Sequence, residues 1–309
     1  MSFQSGLRFE TTTYNGNQLG NPIKSSSSFT RNYNNLFPTA YISYQLDTAS
    51  NHNLVLSYGK RVSRPFYKDL NPFSSPLDKY TYYEGNPYLK PTFAHNLSLA
   101  YSFKQLFTTT FSYSNSQDNI QETIEINNGI YYSRPGNIGS SVLYNLAIES
   151  SIPVSKWLTT TIYSEAVYSE YKSKLYTETL NSSGTYWYIN VNNNFQFKKG
   201  WSAELSGEYI TNFIDSQFSF GDFGHFTAGL QKKFLKDMGN LKFSFRDILH
   251  SDKIRGQINN LYLTDANWYG PRDTRVVVVS FSYRFGKNLN TKPKHSGSGS
   301  ETEQNRVKG

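Results

Sequence analysis

Aromatic rings gathered in long polar stretches are the groups in this sequence best suited to touch a ligand. Phe66, Tyr67, Phe73, Tyr80, Tyr82 and Tyr83 fall between Ser63 and Lys90. Tyr131 and Tyr132 fall between Gln117 and Ser140, and Trp268 and Tyr269 between Ser251 and Asp273. A flat ring stacks on a sugar or a small siderophore, and a tyrosine hydroxyl adds a hydrogen bond. An ordered long loop also needs rings for its own small core. Phe66, Tyr67, Tyr80, Tyr82, Tyr83, Tyr131, Tyr132, Trp268 and Tyr269 are therefore candidates for ligand contact, with loop packing as the competing role.

Other chemistry finds little support. The five histidines, His52, His95, His225, His250 and His295, are scattered, with no second histidine at ligand spacing. Asp118, Glu122 and Glu125 could hold calcium at a loop, or simply face solvent. Cysteine is absent, which removes disulfides, zinc–thiolate sites and thiol nucleophiles. No nucleophile-elbow, metalloprotease, phosphate-loop or dinucleotide motif occurs. No catalytic residue, cofactor or metal is expected, and the chain is not expected to be an enzyme.

The elements that must carry these rings are strands. Apolar residues make up 37% of the 309 positions and mean hydropathy is -0.59. No stretch approaches the ~20 apolar residues of a membrane-spanning helix. Aromatics reach 17%, with 25 Tyr and 22 Phe, a composition suited to pleated, half-buried surfaces. Phe93, Leu97, Leu99, Tyr101 and Phe103 alternate with Ala94, Asn96, Ser98, Ala100 and Ser102. Val277, Val279, Phe281, Tyr283 and Phe285 alternate in the same way with Val278, Ser280, Ser282 and Arg284. Such segments run to ten residues or more, whereas strands of soluble sandwiches run to about five or six.

About twelve strands are expected, at 2–13, 33–46, 52–62, 91–103, 106–116, 141–152, 157–172, 184–197, 201–213, 222–235, 240–250 and 274–285. Short links (Asp47–Asn51, Lys104–Gln105, Pro153–Lys156, Lys198–Gly200, Lys236–Gly239) alternate with long polar ones. Two long links are expected to hold hairpins that extend the wall beyond the membrane, Ile120–Ile126 with Ile130–Ser133, and another within Ile254–Thr264. Loop lengths segregated by end are the mark of a transmembrane β-barrel. Trp157, Trp187, Trp201, Tyr283 and Phe285 are expected in the interface girdle. The fold expected is all-β, an antiparallel barrel wall over residues 1–285. Residues 286–309 are polar and expected to be a flexible periplasmic tail. The net charge of +8 is spread along the chain, so lipid is the expected surface and nucleic acid is not. Met1–Glu10 lacks the basic and apolar regions of an export signal, which suggests that the natural beginning lies upstream.

Several motifs resemble a known family. RVSRPFYKDLNPF at Arg61–Phe73, YYEGNPYLKP at Tyr82–Pro91 and RDTRVVVVSFSYRFGKN at Arg272–Asn288 resemble the barrel of Bacteroidetes TonB-dependent outer-membrane receptors. SETEQNRVK at Ser300–Lys308 resembles their charged tail. The resemblance implies a bacterial outer-membrane location and a barrel of about 22 strands with a plugged lumen, of which this is the C-terminal part. It also implies TonB as a partner through an N-terminal plug that this sequence lacks, and an unidentified nutrient as ligand. A small stand-alone outer-membrane pore or adhesin, and a soluble carbohydrate-binding β-protein, are the alternatives.

Overall fold

The computed structural model describes residues 1–20, 25–104, 106–176, 178–258, 266–270, 273–285 and 301–308. Its strands are β1 (Ser2–Gln18), β2 (Ser27–Gln45), β3 (His52–Ser63), β4 (Ser74–Pro76), β5 (Thr81–Glu84) and β6 (Thr92–Phe103). Then come β7 (Phe107–Asn127), β8 (Ile130–Ser155), β9 (Leu158–Leu175), β10 (Glu178–Gln196), β11 (Trp201–Ile210) and β12 (Phe213–Asp215). The last are β13 (Phe218–Phe220), β14 (Phe223–Phe234), β15 (Gly239–Arg246), β16 (Ile254–Ile258), β17 (Ala266–Gly270) and β18 (Val276–Tyr283), followed by helix α1 (Glu301–Lys308).

One antiparallel wall runs β1-β2-β3-β6-β7-β8-β9-β10-β11-β14-β15-β18. These are the twelve strands expected from the alternation, each paired with its neighbours in sequence order. Register shows why. Ile42, Leu56, Leu99, Phe111 and Leu146 are cross-strand partners in one continuous row. One residue along, Tyr41, Ser57, Ser98, Ser112 and Asn145 form a second row on the opposite face. A slip of one residue anywhere would carry a leucine into the polar row, so the pattern fixes the register. Within the polar row, the Ser57 and Ser98 hydroxyls hydrogen-bond at 2.7 Å. Leu56, Leu99, Phe111 and Leu146 of the apolar row stay exposed along the wall, as a lipid-facing surface must.

Strands outgrow the sequence expectation at one end. The hairpin expected within Gln117–Ser140 forms and extends the wall: β7 and β8 go on pairing, interrupted only at Asp118 and Gly139, to Asn127 and Ile130. The turn is Asn128-Gly129, both at positive φ (52° and 76°), the backbone that Asn-Gly favours. At roughly 3.3 Å per residue, the 26 residues of β8 extend on the order of 85 Å, far more than a bilayer needs. The reason is that polar residues pair their backbones as readily as apolar ones, so loss of hydrophobic alternation ends the membrane zone without ending the strand. The links expected at Tyr14–Asn32 and Ser173–Ser183 shorten in the same way. The last long link holds a hairpin, but β16 pairs with β17 at Ala266–Gly270; residues 259–265 lie outside the described residues.

The wall is open. Among the described residues, β1 pairs only with β2 and β18 only with β15, and every residue of β18 is exposed on both faces. Within the segment expected as a flexible tail, Glu301–Lys308 form α1. Its Arg306 donates to the Pro65 carbonyl at 3.1 Å and lies 4.5 Å from the Tyr67 ring centroid. Residues 286–300 and 309 lie outside the described residues.

Replacing Leu99 by Arg puts a charge in the lipid-facing row and is expected to cost about 2–4 kcal/mol if it sits near the bilayer midplane. Ser98→Arg, one residue away on the polar face, is expected to cost far less. Yield of protease-resistant protein in outer membranes separates the two; equal loss would show that the faces are wrongly assigned.

Candidate functional site

At the long-loop end the segment from Arg64 to Pro91 folds into a fixed cap. Its arginine-proline start is anchored by Arg64, whose guanidinium donates to Glu10 at 2.7 Å and to the Tyr33 hydroxyl at 3.1 Å. The Asn-Pro-Phe and Gly-Asn-Pro motifs are turn devices. The Asn71 and Asn86 side-chain oxygens accept from the backbone N–H of Phe73 and Tyr88, two residues on. Gly85 is required by contact: a Cβ there would lie 2.3 Å from the Asn71 carbonyl oxygen and 2.7 Å from that of Asp69. The cap is stitched to the β7–β8 hairpin by Asn137. It accepts from the Lys90 N–H at 2.8 Å and donates to the carbonyls of Lys90 and Asp118. β5 adds a short parallel strand to β8 at Tyr131–Ser133.

A second loop turns inward. β12 and β13 form a hairpin that packs on the polar face of the wall. Ile214 sits against the only buried apolar cluster among the described residues, Ile138, Tyr171, Leu175 and Leu180. The Ser182 hydroxyl donates to the Ser216 carbonyl at 2.7 Å. Gln217, fully buried, bonds the backbone of Ile124 twice, accepting from its N–H at 2.8 Å and donating to its carbonyl at 3.0 Å. β6 stops alongside Gln117, which leaves the far part of that β7 edge open, and the Gln217 amide fills it as a peptide group would. Withdrawing Gln217 would leave buried donors and acceptors unpaired at about 1–3 kcal/mol each. The hairpin therefore bridges the mouth from the β11–β14 side to β7.

Asp215, at the tip, accepts from the Gln121 amide at 3.3 Å. Burial pushes its carboxyl above the ordinary aspartate value, partly offset by a hydrogen bond from Tyr171. Tyr83 is likewise raised above an ordinary phenol by burial and by its bond to the Asp69 carboxylate at 2.9 Å.

The sequence candidates divide. Phe66, Tyr67, Tyr80 and Tyr269 are exposed at the mouth, with Tyr67 beneath Arg306. Tyr82 stacks on Tyr132 at 6.0 Å, and Arg134 lies 4.8 Å from the Tyr132 ring centroid while pairing with Glu84 and Glu125. Tyr83 is bound to Asp69, Tyr131 is in the β5–β8 ladder, and Trp268 packs on Phe218 and Phe220. The carboxylates of Asp118, Glu122 and Glu125 take separate partners, Lys90, Ser133 and Arg134. Trp157 stacks with Phe195 and Phe197, Trp201 lies under Lys232, and Tyr283 meets Phe285, all at the short-turn end. Trp187 sits within β10, level with the end of β11. Sequence reading missed Tyr88, 70% exposed in the cap, and the inward hairpin; an isolated Gln in a polar link carries no sign that it will be buried.

A comparison with protein families decides what this wall is. Residues 1–283 match the outer membrane protein β-barrel family. The chain belongs to that family. It is an outer-membrane protein, and the reading as a soluble carbohydrate-binding protein falls. Among solved structures, the siderophore receptor PirA from Pseudomonas aeruginosa is 13% identical with a TM-score of 0.57, over 90% of this chain and 48% of that one. The copper transporter OprC is 12% identical with a TM-score of 0.63, over 92% and 46%. The siderophore receptor PiuA from Acinetobacter baumannii is 10% identical with a TM-score of 0.58, over 91% and 40%. These likenesses concern the fold, and this chain spans less than half the length of each. No curated protein matches it.

Because the docked hairpin raises the Asp215 pKa, docking favours the neutral acid. It should be tightest at low pH and loosen as pH rises through the raised value. The chain has no cysteine, so Ser216→Cys gives a single reporter at a buried site. Its labelling rate, normalised to a free thiol, is expected to fall on acidification, and adding Asp215→Asn should slow labelling and flatten the profile. An unchanged profile would remove Asp215 from control of the hairpin.

Proposed function

We propose that this chain is the barrel portion of a TonB-dependent outer-membrane receptor for nutrient uptake. In this reading the outer loops bind a scarce nutrient, and the ligand then passes through a lumen controlled by a plug, driven by energy from TonB. The motifs at Arg61–Phe73 and Tyr82–Pro91 support a place in the Bacteroidetes branch. Residues 1–285 are the barrel domain, and 286–309 are an appended tail. Trp157, Trp201, Tyr283 and Phe285 mark the lipid interface on the periplasmic side.

The observation that carries this is the open wall. Unpaired strand edges cannot stand in hydrocarbon, where each unmet backbone group costs several kcal/mol. The wall therefore needs further strands, and the similar receptors and transporters run to about twice its length. A mouth closed by a fixed cap and an inward hairpin also suits a binding receptor better than a passive pore.

Planar-bilayer recording on the protein purified from outer membranes tests the proposal, together with uptake assays in cells with and without TonB. A plugged receptor is expected to give no steady ion conductance, and the nutrient uptake that depends on this protein should vanish without TonB. Steady open-channel conductance with uptake independent of TonB would replace the receptor by a pore.

A further inference from the structure

The cations of the short-turn end are scattered in sequence and gathered by the fold. Every turn at that end except Asp47–Asn51 carries lysine: Lys104, Lys156, Lys198, Lys199 and Lys236. All of these are exposed. Arg284, also exposed, follows β18 on the same rim. The carboxylates in these turns are Asp47 and Asp237, and Asp47 accepts from the His52 N–H at 2.9 Å. Among the described residues none of these cations pairs with a carboxylate. At the mouth, by contrast, Arg64 pairs with Glu10, Lys90 with Asp118, Arg134 with Glu84 and Glu125, and Lys172 with Glu170.

Backbone geometry makes lysine an unfavourable choice in three of these turns. Lys104, Lys199 and Lys236 have φ of 49°, 60° and 54°, the left-handed region that glycine or asparagine enters with less strain. Side-chain placement shows what the charge meets. Lys232 stands in the lipid-facing row, opposite Trp201 on one side and Leu241 on the other. Its ammonium donates to the Lys199 carbonyl in the turn at 2.6 Å and lies 4.8 Å from the Trp201 ring centroid. Long basic side chains bend in this way when the stem lies along hydrocarbon and the charge seeks the headgroups. The Lys104 ammonium lies 5.2 Å from the ring centroid of Phe103, which shares the face of Leu99.

We infer that this rim binds anionic phospholipids of the inner leaflet of the outer membrane, holding them by their phosphates. The inference needs the barrel's place in the outer membrane and a short-turn end that faces the periplasm; no nutrient and no TonB enters it. Ammonium groups at the depth of Phe103, Trp157 and Trp201 stand where headgroup phosphates begin, and each can donate three hydrogen bonds. A zwitterionic headgroup brings its own cation and gains less from a row of unpaired ammonium groups. An acidic protein docking from below would meet the turn lysines but would leave Lys232, whose charge lies against a lipid-facing ring, without a purpose.

The full-length protein purified from outer membranes is reconstituted in phosphatidylcholine bilayers that carry spin-labelled phosphatidylglycerol or spin-labelled phosphatidylcholine. Electron spin resonance reads the fraction of each label immobilised at the protein surface. Phosphatidylglycerol is expected to associate about threefold more strongly at low salt. That preference should nearly vanish at about 1 M salt, where charges are screened within ~3 Å. Combining Lys104→Gln, Lys156→Gln, Lys198→Gln, Lys199→Gln and Lys236→Gln should remove most of it, and exchanging the same lysines for Arg should keep it. Heat-modifiable migration checks that each variant has folded; if the combined Gln variant does not, Lys156→Gln with Lys198→Gln should lower the preference in part. Equal association of the two lipids at low salt, a preference unmoved by salt, or one that the folded Gln variants retain in full overturns the inference.

Discussion

Every backbone donor and acceptor that enters hydrocarbon must find a partner inside the protein, and the rest of this molecule follows from that demand. Strands meet it by pairing with neighbours on both sides. Once paired, the two-residue period of the strand separates side chains into a leucine- and phenylalanine-rich surface and a serine-, asparagine- and glutamate-bearing one. The row from Ile42 to Leu146 and the row from Tyr41 to Asn145 are the same five strands seen from opposite faces. Much of the polar face is paired within the protein. Glu165 accepts from Asn145 and Tyr163, and Glu208 from Tyr188 and Asn190. The same demand singles out β1 and β18, each with one neighbour among the described residues, as the open edges of the wall.

Outside the membrane the constraint relaxes, and surplus length takes other forms. β7 and β8 run on as a long ladder to the Asn128-Gly129 turn. The segment after Arg64 uses Gly85 and two asparagine turns to fold into a cap. The link between β11 and β14 turns inward until Gln217 reaches the open edge of β7. That reach couples structure to function: the only buried apolar cluster among the described residues lies beneath this hairpin, so the best-packed part of the molecule is its mouth.

The wall was legible in the sequence because period-two alternation is imposed by lipid on one side and a polar interior on the other. Leu97, Leu99 and Phe103 declare their face without help from any other strand. Turn positions were legible for the same reason, since the alternation stops there. The β7–β8 extension showed itself as the hairpin of Ile120–Ile126 with Ile130–Ser133; the extended tips of β9 and β10 did not, because their polar residues have no alternation to show. The division of aromatics was not legible either. Tyr82 and Tyr269 look alike in sequence, and only register shows that one stacks on Tyr132 while the other faces outward beside Arg255. Gln217 had no signal at all, since its burial depends on an edge contributed by a strand far away in the chain.

The central claim is that these twelve strands form a partial wall that needs further strands to stand in a membrane. Refolding residues 1–309 alone in detergent micelles, followed by electrophoresis with and without boiling and by light scattering, tests it most directly. Aggregated or polydisperse material with no heat-modifiable band is the expected result. A monodisperse, heat-modifiable barrel from this chain by itself would contradict the claim and show that β1 and β18 close on each other.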